Sequence, residues 1–261
     1  MEFWIDFGRG PLFRLAFVLM VLGLFRIFLL TVVEIAEAYR RNADRIINWR
    51  EVAIQTVEWL IPVRRLWRQR PVYSSVSFLF HVGLLVVPLF LTAHVLLWKR
   101  TVGVSWPAVP QALADVLTLV VVVCGVALFI GRVWHQAARR LSRSQDYLWP
   151  LVLVVPFATG YACSNLALGP NAYDVLMLLH VYMADLILLL IPFTKIAHCV
   201  LAPLSQVVSA VAWKFPVGAG DRVAATLGYA ERPTWVEKAR LRQSGSASAT
   251  ATGIEPEVCS K

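Results

Sequence analysis

Four histidines in two apolar runs are the residues whose type and spacing could do chemistry. His81 and His94 lie in Val76–Trp98, and His180 and His198 lie in LMLLHVYMADLILLLIPFTKIAHCVLAP, Leu176–Pro203. The second pair is 198 − 180 = 18 residues apart. At about 3.6 residues per turn this predicts one face of a single helix, with the rings roughly 27 Å apart along its axis. One ring would then sit near each surface of a bilayer. Imidazole in lipid is costly without a partner, so two on one stripe need a reason. Two stacked haem b groups, each taking axial histidines, supply it.

The elements that must position these rings are apolar and helical. The chain of 261 residues is 58% apolar and 16% charged, with mean hydropathy +0.64, whereas a soluble domain is about a quarter charged. Five runs, Leu12–Val33, Val76–Trp98, Leu113–Ile130, Leu148–Leu166 and Leu176–Leu201, approach or exceed the roughly 18 residues of a helical span. Their all-round apolar character argues for helices and against barrel strands. The expected fold is an all-α membrane protein of five transmembrane helices, over residues 1–231. The first run is too long for a cleavable signal.

Charge sets the expected orientation. Arg40, Arg41, Arg45, Arg50, Arg64, Arg65, Arg68 and Arg70 lie between the first two runs, and Arg132, Arg139, Arg140 and Arg143 between the third and fourth. The opposite side has little beyond Arg9, Lys99 and Arg100. The positive-inside rule places the N-terminus outside and the C-terminus in the cytoplasm of a cell inner membrane, as a multi-pass protein. The net charge of +9 is gathered in these loops, which argues against a nucleic-acid partner. Residues 42–67 alternate apolar and charged positions as an amphipathic cytoplasmic helix would. Residues 232–261 read as a disordered cytoplasmic tail. Cys124, Cys163, Cys199 and Cys259 form no CxxC or CxxCH, so no covalent haem attachment or metal spacing is expected.

With these directions, His81 faces His198 at the cytoplasmic level and His94 faces His180 at the external level. The second run fits less well, because thirteen residues leave two side chains about 140° apart on an ideal helix. Pro88 lies between them and could correct the phase. His135 has no partner at its depth and reads as an interface histidine. Arg26, Arg132 and Lys195, toward the cytoplasmic ends, could neutralise haem propionates. Lys99 and Arg100, beside His94, could orient a quinone carbonyl, and Asp185 could relay protons or bond a group near the outer site.

At these residues the chain resembles the gamma (cytochrome b) subunit of respiratory nitrate reductase. It is also similar to the membrane cytochromes of heterodisulfide reductase and of the dissimilatory sulfite reductase-linked complex. IPFTKIAHCV, Ile191–Val200, resembles the family's Pro-Phe-Ser/Thr-Lys/Arg-x-x-His ending of the last span. SRSQDYLWPLVLVVPFATGY, Ser142–Tyr161, is similar to its Asp-Tyr entry and Thr-Gly exit of the fourth, and GPLFRLAFVLMVLGL, Gly10–Leu24, to its first. The likeness covers roughly residues 8 to 215. The second span departs, with its histidines farther apart and Ala93 where the nitrate reductase subunit has Gly.

The resemblance implies an electron-transfer subunit rather than an enzyme catalytic alone. It would exchange electrons between the quinone (or menaquinone) pool and a cytoplasmic iron–sulfur or catalytic subunit through two haem b groups. The cytochrome b of a membrane-bound hydrogenase is a near alternative. From the residues alone, a transporter or proton relay built on the histidines and Asp185, or a haemless anchor, also stands.

Overall fold

A computed structural model of the chain describes residues 1–42, 44, 46–60, 71–212 and 214–228. Arg45, Arg64, Arg65, Arg68 and Arg70 of the basic connection, the end of the amphipathic stretch, Cys259 and the 232–261 tail lie outside the described residues. The described elements are helices, with an isolated antiparallel bridge between Asn42 and Pro216.

Helix α1, Glu2–Arg41, contains a π turn at Gly8–Leu12 around Pro11. It is followed by α2 (Trp49–Leu60), α3 (Pro71–Phe90), α4 (Thr92–Val102), α5 (Gln111–Trp134) and α6 (Gln136–Leu141). The remainder is α7 (Ser144–Asn165), α8 (Pro170–Leu190), two 3-10 turns at Ile191–Phe193 and Lys195–Ala197, α9 (His198–Ala212) and α10 (Ala219–Thr226). Among the described residues, six stretches are long and apolar enough to cross a membrane: Glu2–Arg41, Pro71–Phe90, Gln111–Trp134, Ser144–Asn165, Pro170–Phe193 and Lys195–Ala212.

The sixth comes from a correction to the sequence reading. The run Leu176–Leu201 is not one continuous helix. Pro192 lacks the N–H that would continue the ladder, and Thr194 adopts an extended backbone (φ −130°, ψ 177°). His180 therefore lies on α8 and His198 at the start of α9. Five turns of one continuous helix do not describe how their rings are aligned.

Two compact units divide the chain, residues 1–35 with 48–209, and 36–47 with 210–261. In the first, α3 packs on α5, α5 on α7 and α7 on α8, whereas α3 and α8 make no extended contact with each other. The core of this row is Phe80, Val87, Val121, Cys124, Leu153, Phe157 and Ile187. Small residues set its spacing. A Cβ on Gly83 would lie 2.4 Å from Val121 Cγ2 and 3.0 Å from the Leu117 carbonyl oxygen, and one on Gly125 would lie 2.4 Å from Val154 Cγ2. Such close approach is how helices pack where lipid offers apolar side chains no advantage in associating.

Helix α1 is largely exposed and touches the row at few points. A Cβ on Gly8 would lie 2.5 Å from Val181 Cγ1 and one on Gly23 2.6 Å from Pro192 Cβ. Phe13 and Phe17 meet Trp98 edge-on at 5.5 and 4.9 Å. Helix α2 starts within the amphipathic stretch, its Glu51 N–H donating to Asn48 Oδ1 at 3.3 Å and Val52 buried.

Gly83→Val should therefore overpack the α3–α5 contact and cost about 1–3 kcal/mol. The check is a lower midpoint of thermal unfolding in detergent. An unchanged midpoint would contradict the close approach.

Candidate functional site

The four histidines are presented by two broken helices that run in opposite chain order. The α3–α4 break is at Leu91, whose backbone is extended (φ −64°, ψ 134°). It falls three residues beyond Pro88 and divides His81 on α3 from His94 on α4. A helix end leaves its last carbonyls without intrahelical donors. Here each finds one. Val87 oxygen accepts from the Leu91 N–H at 3.1 Å and lies 3.1 Å from His94 Nδ1. Pro88 oxygen accepts from Trp98 Nε1 at 3.5 Å, Leu89 oxygen from Trp106 Nε1 at 2.8 Å, and Phe90 oxygen from the Val109 N–H at 2.9 Å.

The rings meet in two pairs. His81 and His198 have ring centres 6.1 Å apart at an interplanar angle of 82°. His94 and His180 are also 6.1 Å apart, with planes at 10°. These are the pairings that opposed chain directions imply. Ordinary aromatic contacts span a range that includes this separation, so the distance alone does not distinguish a ligand site from packing.

The hydrogen bonds are more specific. His81 Nδ1 lies 2.7 Å from the Ser77 carbonyl oxygen, His94 Nδ1 3.1 Å from Val87, His180 Nδ1 2.7 Å from Pro156, and His198 Nδ1 2.8 Å from Lys195. A carbonyl only accepts, so each Nδ1 carries the proton in these contacts. In a neutral imidazole so held, Nε2 keeps its lone pair. That is the tautomer of a metal-ligating histidine whose second nitrogen is held by a backbone oxygen. Gly160 makes room for one ring, since a Cβ there would lie 2.8 Å from His180 Cε1.

The site fits a haem on its donor set and spacing. A metal–imidazole bond is about 2.0–2.1 Å, so two in line, with each ring centre about 1.1 Å behind its nitrogen, separate the centres by about 6.3 Å. Among the described residues no group of three or more His, Cys, Asp or Glu gathers. Two imidazoles are too few to enclose a bare ion.

The charged candidates fall in different places. Lys195 Nζ forms an ion pair with Asp146 at 2.6 Å, and Arg132 donates to the Asp146 backbone oxygen. Two cations thus converge on Asp146, Lys195 on its carboxylate and Arg132 on its backbone carbonyl, beside the turn that carries His198. Arg26 is exposed on α1, and Lys99 and Arg100 are exposed in the last turn of α4. Asp185 is buried, at 4% exposure, and its Oδ2 has no hydrogen-bond partner among the described residues. It is one helical turn beyond Val181, the residue that packs on Gly8 of α1, so it lies on the α1 side of α8. Five residues on an ideal helix separate it from His180 by about 140°.

Sequence reasoning overlooked Gly160 and Asp146 as site residues. Both belong to the segment Ser142–Tyr161 that carried the resemblance, in its Asp-Tyr and Thr-Gly dipeptides. Their partners lie 180 − 160 = 20 and 195 − 146 = 49 residues away, beyond any local pattern.

A curated protein from Nitratidesulfovibrio vulgaris (strain Hildenborough) is 35% identical over 156 residues, covering 59% of this chain and 68% of the relative. The chain belongs to the family of that protein. No family model and no solved structure matches it.

A buried carboxyl oxygen without a partner is destabilising. Asp185→Leu, similar in volume, should raise the thermal midpoint in detergent by an amount equivalent to about 1–3 kcal/mol. A fall would show that the carboxyl has a partner that stabilises it.

Proposed function

We propose that this chain is the membrane cytochrome b subunit of a respiratory oxidoreductase complex. In this reading His81 with His198, and His94 with His180, would hold the irons of two haem b groups. The observation that carries it is the set of four Nδ1 atoms each held by a backbone carbonyl, at 2.7, 3.1, 2.7 and 2.8 Å, within two ring pairs 6.1 Å apart. Packing alone calls for no common tautomer among four separate rings. Ligation does. Haem b, when bound, supplies a one-electron iron couple tuned by its ligands and their surroundings.

The chain's own residues do the positioning. The carbonyls of Ser77, Val87, Pro156 and Lys195 fix each imidazole in rotation and tautomer. The series α3–α5–α7–α8 holds the two histidine-bearing strings apart without letting α3 and α8 pack together. At the His198 end, Lys195 and Arg132 exceed Asp146 by one positive charge. An Arg132 guanidinium with one donor on a carbonyl retains others for a carboxylate. That supports a propionate contact there.

The membrane arrangement follows the charge pattern. We infer five crossings, with Pro170–Phe193 and Lys195–Ala212 serving as one interrupted passage, the N-terminus outside and the Arg-rich connections in the cytoplasm. The His94–His180 site would then lie on the outer side, near Lys99 and Arg100, and exchange electrons with the quinone pool. The His81–His198 site would lie on the inner side. Both of its rings are exposed, which supports contact with a cytoplasmic iron–sulfur or catalytic subunit.

Reduced-minus-oxidised absorption spectra of the purified protein test this reading. Two haem b per chain are expected. His198→Ala should leave one, and retention of both would contradict the pairing. His94→Ala should lower the rate of reduction by quinol before it affects reduction from the other side. The absence of b-type bands in the wild-type protein would remove the cytochrome reading altogether.

A further inference from the structure

Among the described residues two buried side-chain polar atoms have no hydrogen-bond partner, Asp185 Oδ2 and the indole Nε1 of Trp149. The second is a donor, and a buried N–H left without an acceptor costs free energy. Other indoles of the fold show the ordinary solution, since Trp98 and Trp106 donate to the carbonyls of Pro88 and Leu89. An indole nitrogen donates only, so what completes Trp149 is an acceptor. The Asp146 carboxylate, one turn away, is already engaged by Lys195 Nζ and by the Arg143 N–H.

Trp149 stands on the face of α7 that the histidines meet. On an ideal helix Asp146, Trp149, Leu153, Pro156 and Gly160 fall within an arc of about 80°. At one end of this stripe Asp146 pairs with Lys195, beside the turn that carries His198. At the other, the Pro156 carbonyl and Gly160 meet the His180 ring. Trp149 is 149 − 146 = 3 residues from Asp146, about 4.5 Å along the helix, which places it at the His198 end. It packs on the same core cluster as Ile196, two residues before His198. Phe80 belongs to that cluster and meets the His81 ring edge-on, with centres 5.8 Å apart. The unpaired donor thus lies among the neighbours of both rings of the His81–His198 pair.

The acceptor that a haem would bring to this pair is a propionate carboxylate. The charged groups nearby are partly committed, Lys195 to the Asp146 carboxylate and one Arg132 donor to the Asp146 carbonyl. A neutral N–H adds a bond without adding charge, and hydrogen bonds to carboxylates are among the stronger ones.

We propose that Trp149 is a binding residue of the His81–His198 site, its indole N–H donating to a haem propionate, an assignment that rests on the haem reading above. Such a donor draws charge from the carboxylate, and negative charge near an iron favours its ferric form. Loss of the donor therefore lowers the potential of that haem.

The test is a potentiometric titration of the full chain purified with its haem in detergent, together with resonance Raman spectra of the propionate modes. Trp149→Phe deletes the donor. It is expected to lower the midpoint potential of one haem, the one absent from His198→Ala, and to shift its propionate band. The other haem should be unchanged. Replacing Trp149 by 3-benzothienylalanine, which puts sulfur in place of the N–H and keeps the ring shape, should do the same without disturbing the packing. Trp134→Phe, at an exposed position, should move neither haem. Two haems whose potentials and propionate bands are unmoved by either change at Trp149 would overturn this assignment alone. A higher thermal midpoint alongside them would identify an N–H that bonds nothing. Absence of b-type bands from the wild-type protein would instead remove the haem reading, and this assignment with it.

Discussion

An imidazole on an apolar helix has two nitrogens and few partners, and that constraint governs the bundle. Each of the four paired histidines meets it the same way, through an oxygen of the backbone at Nδ1. The backbone can supply such an oxygen only where helical bonding leaves capacity. His81 uses the carbonyl four residues before it. The remaining three draw on irregular or neighbouring structure: the frayed end of α3, the adjacent helix α7, and the 3-10 turn before α9. Pro88 and Pro192 are therefore part of the site, since they belong to the interruptions that make oxygens and ring directions available.

Once both histidine-bearing strings are broken, something must keep their halves in place. At the α3–α4 junction it is tryptophan. Trp98 and Trp106 donate to the carbonyls of Pro88 and Leu89 and lie near one another, with centres 6.1 Å apart and planes tilted at 40°. Phe13 and Phe17 of α1 close on Trp98 from the other side. Indole suits this position because it combines a large apolar body with a single donor. At the α8–α9 junction the fastening is ionic, Lys195 to Asp146, with Arg132 on the same residue. The difference follows the sequence, which is aromatic at one junction and charged at the other.

The sequence made the pairing legible and the helix geometry only partly so. Two histidines in each of two apolar runs, in opposed chain directions, can pair in one order by depth. That inference needs no knowledge of rotation about either helix. The rotational argument for His180 and His198 did need it, and Thr194 broke its premise. The phase mismatch between His81 and His94 had the opposite outcome, because the extended backbone at Leu91 resets the direction of the chain. Helix ends were also hard to place. Hydropathy put the first run at Leu12–Val33, but α1 extends through Arg40 and Arg41, because lipid selects the apolar part of a helix and intrahelical bonding decides its length. The contacts of Asp146 and Gly160 join distant segments, and only tertiary packing brings them together.

The two pairs differ in what holds them, and this has consequences for how each can respond to its surroundings. His94 and His180 are part-buried, and both are bonded beyond their own helix, His94 to α3 and His180 to α7. Moving either ring requires shifting the packing of whole helices, which resists small displacement. His81 and His198 are exposed and bonded to carbonyls four and three residues away in sequence. Local bonds orient a ring without fixing the distance across to its partner. That distance depends on the 3-10 turn at Lys195–Ala197 and on the ion pair beside it. The asymmetry thus leaves one ring pair held between helices and the other held by bonds within its own segments.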